Sequence, residues 1–236
     1  MTLYDDITLG LLDEAPNAQR YSRGNSLVHQ KIVELIPERA VVLDVGCGSG
    51  ELALMIQKER NAKVIGIESN AERAAKAKSN GIDVYNLDFG FTIPKDIGQF
   101  DVVIFADVLE HMVSPGAALS ITKALLRPQG IIIASIPNVA YIGVRIRLLF
   151  GKFKYQESGL MDATHLRWFT LETIRLFFKR LDYRIESVYY IQPPMPKVKN
   201  IWKQVFFKLK RILLQTGIFI FPKLFSCNFI IVAKKF

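Results

Sequence analysis

The sequence predicts an α/β fold, a mostly parallel sheet covered by helices on both faces. Two observations carry this. Short apolar runs rich in β-branched residues alternate with helical stretches as far as Pro137. Near the start, Val42-Leu43-Asp44-Val45-Gly46-Cys47-Gly48-Ser49-Gly50 reads as a buried strand delivering a tight glycine turn into a helix. Strands joined by helical crossovers are buried on both sides, so they read as continuous apolar runs rather than alternating ones.

The elements follow in order. Residues 1 to about 22 read as a loosely packed lead-in, and a helix over Asn25–Leu35 places Leu27, Val28, Ile32 and Leu35 on one side before Pro37 ends it. Apolar runs at Val41–Val45, Val64–Ile67, Val84–Leu87, Val102–Phe105 and Ile131–Ile136 are the expected strands, and helices are expected near 51–59, 70–79 and 115–126. Ser114-Pro115 reads as an N-cap followed by proline at the first helical position. Further on, Val139–Phe150 reads as helical, 151–168 as a polar loop, and Thr170 as the cap of a helix ending near Arg180. Arg184–Ile191 and Phe229–Ala233 are expected strands. The chain divides into a helical lead-in (1–36), a ligand-binding domain (37–192 and 227–236) and an insertion (193–226).

Composition narrows the classes. With 236 residues, half of them hydrophobic, the chain can bury one sizeable core and is not a disordered polymer. Cys47 and Cys227 are its two cysteines and lack any Cys/His ligand spacing, so neither a disulfide framework nor a structural zinc site is expected, and a reducing compartment is the default. No secretory leader is read at the N-terminus, and no uncharged apolar stretch approaches the roughly 20 residues of a membrane span. The formal charge of +9 sits in one place. From Ser187 onward there are nine Lys/Arg and no Asp/Glu, whereas the preceding residues balance at 22 basic and 22 acidic. Such asymmetry points to a local partner of negative charge.

The glycine turn carries the chemistry. Glycine admits positive φ and close approach of a ligand. Glu68 ends the next strand, 22 residues after Gly46, where a carboxylate can accept hydrogen bonds from both ribose hydroxyls. A dinucleotide fingerprint would place its third glycine at position 51, which is Glu, and a carboxylate beside a pyrophosphate would be repelled. The pattern therefore suits a ligand without phosphate, and Asp44 can face a sulfonium or ammonium group.

Asp44-Val45-Gly46-Cys47-Gly48-Ser49-Gly50 resembles the first motif of class I S-adenosylmethionine (SAM)-dependent methyltransferases. Glu68 matches their ribose carboxylate, Leu87-Asp88-Phe89 their third-strand adenine motif, Phe100–His111 their fourth-strand motif, and Leu126-Arg127-Pro128-Gln129-Gly130 the lead into their fifth strand. Ile136–Val139, Arg145–Gly151 and Asp162–Thr170 resemble a bacterial subgroup related to MetW- and UbiG-like enzymes, often found in cell-surface glycan gene clusters. The resemblance implies a Rossmann-like seven-stranded methyltransferase sheet, six strands parallel and one antiparallel. It implies SAM as cofactor, contacted by Asp44, Gly46, Cys47, Gly48, Gly50, Glu68, Ser69, Leu87, Asp88, Phe89, Ala106, Asp107 and His111. The implied activity is methyl transfer, expected at oxygen, to a small-molecule, glycan or lipid-linked acceptor. An RNA methyltransferase using the basic segment and a non-catalytic SAM-binding protein are the alternatives. No Asn/Asp-Pro-Pro-Tyr follows the fourth strand and no Pro-Cys nucleophile is present, which argues against adenine-N6, glutamine and cytosine-C5 methylation.

A hydroxyl acceptor loses a proton as it is methylated, and a near-neutral imidazole suits that task. His165, between Asp162 and Arg167 in the polar loop, is the candidate base; ordering the loop is its other reading. His111 follows the fourth strand and packs beside the cofactor in the implied family. With Asp107 and Glu110 it offers a metal-type donor set, as UbiG-like relatives suggest, but no metal is expected. His29 is read as a surface or packing residue. Tyr21 and Arg23 are read either as closing over the methionine end of SAM or as surface residues.

Within the insertion, Lys197–Leu214 reads as an amphipathic helix and Ile218–Phe225 as an apolar, hairpin-like run. Basic residues beside aromatics suit an anionic membrane surface. Packing on its own sheet or in a dimer is the competing reading, and nucleic acid the less favoured one. The expected setting is the cytoplasm, at the inner membrane face if the insertion meets lipid.

Overall fold

The computed structural model describes residues 18–90, 93–94, 96–193 and 201–236, with only the backbone described for 18–26, 201–207 and 209–210. In chain order the elements are α1 (Ala18–Leu35), β1 (Val41–Val45), α2 (Glu51–Arg60), β2 (Lys63–Glu68), α3 (Ala71–Ser79), β3 (Asp83–Asn86), β4 (Phe100–Ala106), α4 (Pro115–Leu125), β5 (Leu126–Pro137), α5 (Ile142–Leu149), α6 (Leu171–Arg180), β6 (Tyr183–Ile191), α7 (Ile201–Ile220), α8 (Pro222–Phe225) and β7 (Asn228–Lys235).

The strands form one seven-stranded sheet in the order β3-β2-β1-β4-β5-β7-β6. The pairings β1–β2, β1–β4, β2–β3 and β4–β5 are parallel, and β7 runs antiparallel to both β5 and β6. Six strands therefore share a direction and one is reversed, as the resemblance implied. Alternate residues of each strand face opposite sides. Val42, Ile104, Ile133 and Ile230 pack with Val28 and Ile32 of α1, Leu52 and Ile56 of α2, and Ala74 and Ala77 of α3. Their neighbours Leu43, Val103, Ile132 and Ile231 pack on the other face with Leu119 of α4 and Ile174 and Phe178 of α6. This two-sided burial explains why the strand segments read as unbroken apolar runs.

Three local expectations change and one holds. The first described helix already runs from Ala18, ahead of Asn25; Ala18–Ser26 contains almost no apolar residue, so periodicity carried no signal there. Ser114 precedes α4, but its side chain makes no capping hydrogen bond, and proline at the first turn defines the start. Thr170 does cap α6, in a reciprocal box with Thr173. The expected hairpin over Ile218–Phe225 is instead the end of α7 followed by the single turn α8. The turn folds back so closely that a Cβ on Gly217 would lie 2.6 Å from the Phe225 ring. Residues 1–17 and 194–200, including most of the stretch read as a loose lead-in and the start of the basic segment, lie outside the described residues.

Candidate active site

The site is built at the carboxyl ends of β1, β2 and β4, where open α/β sheets bind ligands. Leaving β1, the backbone N–H groups of Gly46 and Cys47 both donate to the Ile67 carbonyl at 2.7 and 3.0 Å, which pins the turn against β2. Gly46 has φ +73°, and a Cβ there would meet Val108 at 2.6 Å. Gly48, also at positive φ, faces open space with no atom within 4 Å of a built Cβ. The turn is thus closed behind and bare in front, the shape a ligand backbone approach needs.

Two carboxylates lie beneath it. Glu68 is buried and accepts the Gly48 N–H at 2.9 Å and the Asn70 N–H at 2.8 Å, one on each oxygen. Each oxygen keeps a second acceptor position. Asp44 is 1% exposed, and its Oδ2 has no hydrogen-bond partner. Burial, reinforced by the Glu68 charge, pushes its pKa from the usual 3.8 up to about 7. A buried carboxylate oxygen without a donor is costly, and a cation beside it would relieve that cost.

Two cavities meet at Gly46. One, of about 210 Å³, is lined among others by Ser69, Leu87, Asp88, Phe89, Val108 and His111. The other, of about 350 Å³, is lined among others by His29, Asp44, Cys47, Gly48, Arg73 and Ala106. Most of the expected cofactor contacts therefore come together around one glycine bend. Glu68, Gly50, Asp107 and His165 line neither cavity: Glu68 lies under the turn, and Gly50 packs against Ile82 at the start of α2. His29, read as a surface or packing residue, instead borders the second cavity, and burial lowers its pKa despite the nearby Asp107 and Glu51 charges. The side chains of Tyr21 and Arg23 lie outside the described ones.

Past β4 the chain turns at Asp107, a non-glycine residue at φ +53°. Its N–H donates to Ser135 Oγ at 2.8 Å, and its Oδ1 accepts from Ser135 Oγ at 2.8 Å and Asn228 Nδ2 at 2.7 Å. Asp107 is thereby tied to β5 and to the reversed strand β7. Neither Ser135 nor Asn228 carries a motif, so sequence reasoning had no means of finding them.

The loop before α6 is laced to the turn after β4, since Leu166 and Arg167 both donate N–H bonds to the Glu110 carbonyl at 2.9 and 3.0 Å. Arg167 also donates to the Val113 carbonyl at 2.8 Å. The expected base, His165, is buried at 7% exposure, with its ring edge-on to His111 at 4.7 Å and to Trp168 at 5.5 Å. Burial, then the adjacent His111, lowers its pKa to about 4. Of the two imidazoles, His111 reaches a cavity wall. Thr164 Oγ1 donates to Asp162 Oδ1 at 2.6 Å and lies 2.9 Å from His111 Nδ1. With the threonine proton committed to Asp162, the Nδ1 contact is satisfied by His111 donating, which places its ring proton on Nδ1 and leaves Nε2 with a lone pair.

Among the described residues, Glu110, His111 and His165 bring potential metal-donor atoms within 4.8 Å of one another. Glu110 is buried and neither carboxyl oxygen has a partner; burial, then Asp107, raises its pKa well above the usual range. Without a cation the group is thus biased to its neutral acid form.

Comparison with known proteins bears on the family and the fold. A family model described as a methyltransferase domain matches residues 18–188. The ubiquinone biosynthesis O-methyltransferase of Rhodopseudomonas palustris (strain TIE-1) is 35% identical over 103 residues, 41% of this chain and 40% of that one. The bifunctional methionine biosynthesis protein MetXA/MetW of Rhodopirellula baltica is 30% identical over 125 residues, 49% of this chain and 20% of that one. The matches to these two relatives thus span 40% or less of their lengths. Among solved structures, a SAM-dependent methyltransferase from Archaeoglobus fulgidus superposes with a TM-score of 0.62 at 20% identity, covering 92% of this chain and 97% of that one. Magnesium protoporphyrin IX methyltransferase from Synechocystis, with bound S-adenosylhomocysteine (SAH), superposes with a TM-score of 0.60 at 16% identity, covering 95% and 90%.

Proposed function

Because this chain belongs to the methyltransferase-domain family, we propose that it transfers the methyl group of SAM to an oxygen of a small-molecule, glycan or lipid-linked acceptor, working from the cytoplasm at the inner membrane face. The observation that carries the reading is Asp44: a fully buried carboxylate with an unpartnered oxygen, set behind a glycine bend whose front is open. An oxygen acceptor is supported by the O-methyltransferase relatives.

Asp44 would face the cationic methionine end, and Glu68, held upright by two backbone donors, would accept from the ribose hydroxyls. Ser69, Leu87, Asp88 and Phe89 would enclose the adenine. Bound SAM supplies an electrophilic methyl on a positively charged sulfur. The protein's task is then chiefly positioning, which can contribute about 7–11 kcal/mol in favourable cases, and removal of the acceptor proton.

For that proton we favour His111 over His165. His111 is at the cavity wall with Nε2 free to accept, whereas His165 stands behind it and its lowered pKa makes it a weak base. Asp162 and Thr164 are positioning residues that hold the His111 tautomer. His111→Ala should cut turnover by about 10²–10⁴-fold, beyond any loss of SAH affinity measured in parallel on the same variant. Thr164→Val should lower kcat with little effect on KM for SAM. Full activity in His111→Ala would remove the role.

The decisive experiment is calorimetry of the full chain with SAM and SAH, followed by mass spectrometry of cell-envelope extracts incubated with and without the protein. Uptake of both ligands and a species heavier by one CH₂ support the reading. Absence of either ligand's binding defeats it, and binding without any methylated product favours a non-catalytic role.

A further inference from the structure

We propose that the ends of α5 and α7, together with α8, form one two-pronged surface that docks on an anionic lipid bilayer at the mouth of the site. The inference deepens, and rests on, the membrane-side acceptor proposed above.

Exposure comes first. Phe219 is 90% exposed and Phe221 60%, at the end of α7; Leu149 is 80% exposed and Phe150 71%, at the end of α5. Large apolar side chains left this bare in pairs, three of the four aromatic, are not the scattered apolar residues of an ordinary surface. Gly217 and Phe225 show why the α7 end stays bare: α8 folds back onto the helix and covers one side, leaving Phe219 and Phe221 outward.

The two prongs share a root. Asn138, at the end of β5 just before α5, donates from its side-chain amide to the Lys223 carbonyl of α8 at 2.9 Å and to the Ser226 carbonyl at 2.8 Å. Its backbone N–H donates to Cys227 at 2.9 Å. This root follows the carboxyl end of β5, which runs parallel to β4, so both prongs spring from the sheet end at which Gly46, Ser69 and Val108 line a cavity.

Charge selects the partner. Residues 138–154 and 187–236 contain no Asp or Glu, and exposed Arg145, Arg147 and Lys152 flank one prong, as Lys208, Arg211 and Lys223 flank the other. Aromatic and aliphatic tips on cation-rich segments that contain no Asp or Glu match an anionic headgroup layer over acyl chains. A second copy docking through the same face would set cation against cation. No described helix is long and apolar enough to cross a membrane, so the contact would be peripheral.

The test is co-sedimentation of the full chain with vesicles of phosphatidylglycerol and phosphatidylethanolamine, against phosphatidylcholine alone. Binding to the anionic vesicles, at least tenfold weaker on neutral ones and weakened by salt, is expected. Leu149→Ser/Phe150→Ser and Phe219→Ser/Phe221→Ser should each weaken it at least tenfold with SAH affinity unchanged. No binding to anionic vesicles, binding that either double variant leaves intact, or a concentration-dependent dimer without vesicle binding overturns the surface. Vesicle binding without SAM or SAH uptake would instead defeat the methyltransferase reading alone.

Discussion

At Asp44 burial and function pull in opposite directions. Its pKa of about 7 in the folded protein exceeds the usual 3.8, so between those values the native state holds a proton that the unfolded chain has released. Stability of the ligand-free protein should therefore fall as pH rises from about 4 through 7. Asp44→Asn should flatten that slope in thermal melts and weaken SAM binding. A cation arriving beside Asp44 favours the ionised form, so near pH 6 SAM uptake should release protons, measured as a buffer-dependent calorimetric enthalpy. Glu68→Gln keeps the shape but loses charge; hydrogen bonds to charged groups contribute about 1.5–3 kcal/mol, so SAM affinity should drop roughly 10–100-fold without a large change in Tm. Burial pushes both Cys47 and Cys227 up to about 12. Neither should react with a thiol reagent at neutral pH until the protein is denatured. Asp44, Glu68 and the glycines were legible because their spacing is itself the signal. The tautomer of His111 was not: it depends on Thr164 and Asp162, more than fifty residues away.

Among the elements, the junctions are more sensitive than the helices. Gly46→Ala would drive a methyl into Val108 and hold alanine at positive φ, a combination expected to cost about 1–3 kcal/mol and to weaken SAM binding more than the Tm shift accounts for. Asn138 is fully buried, its amide bonded to Lys223 and Ser226 and its carbonyl oxygen accepting from Ala140. Asn138→Ala strands several buried groups at about 1–3 kcal/mol each, and for a chain of this size Tm should fall about 2–4 °C per kcal/mol. Element type was readable wherever an apolar pattern ran long enough. It failed where the pattern was silent, as in the polar first turns of α1, or where an apolar run suited two structures, as at Ile218–Phe225.

For the whole molecule, chain order and spatial order diverge most at the C-terminus. β7 is the last strand in sequence but lies between β5 and β6, with Phe229, Ile230, Ile231 and Ala233 completely buried. Ending the chain before Asn228 would remove an interior strand, uncover the β5 edge and take away one of the two side-chain donors to Asp107 Oδ1. Such a truncation should show no cooperative unfolding transition by circular dichroism.

The sequence by itself determined the alternating α/β pattern, the glycine bend with its acidic partners, and the confinement of excess positive charge to the last fifty residues, because each is written in local spacing and composition. Only the tertiary structure decided that His29 and His111 border the cavities while His165 lines neither, what anchors Asp107, and that α5 and α8 share a root at Asn138. Those outcomes depend on contacts between segments tens to more than a hundred residues apart, and such contacts leave no periodic trace along a single chain.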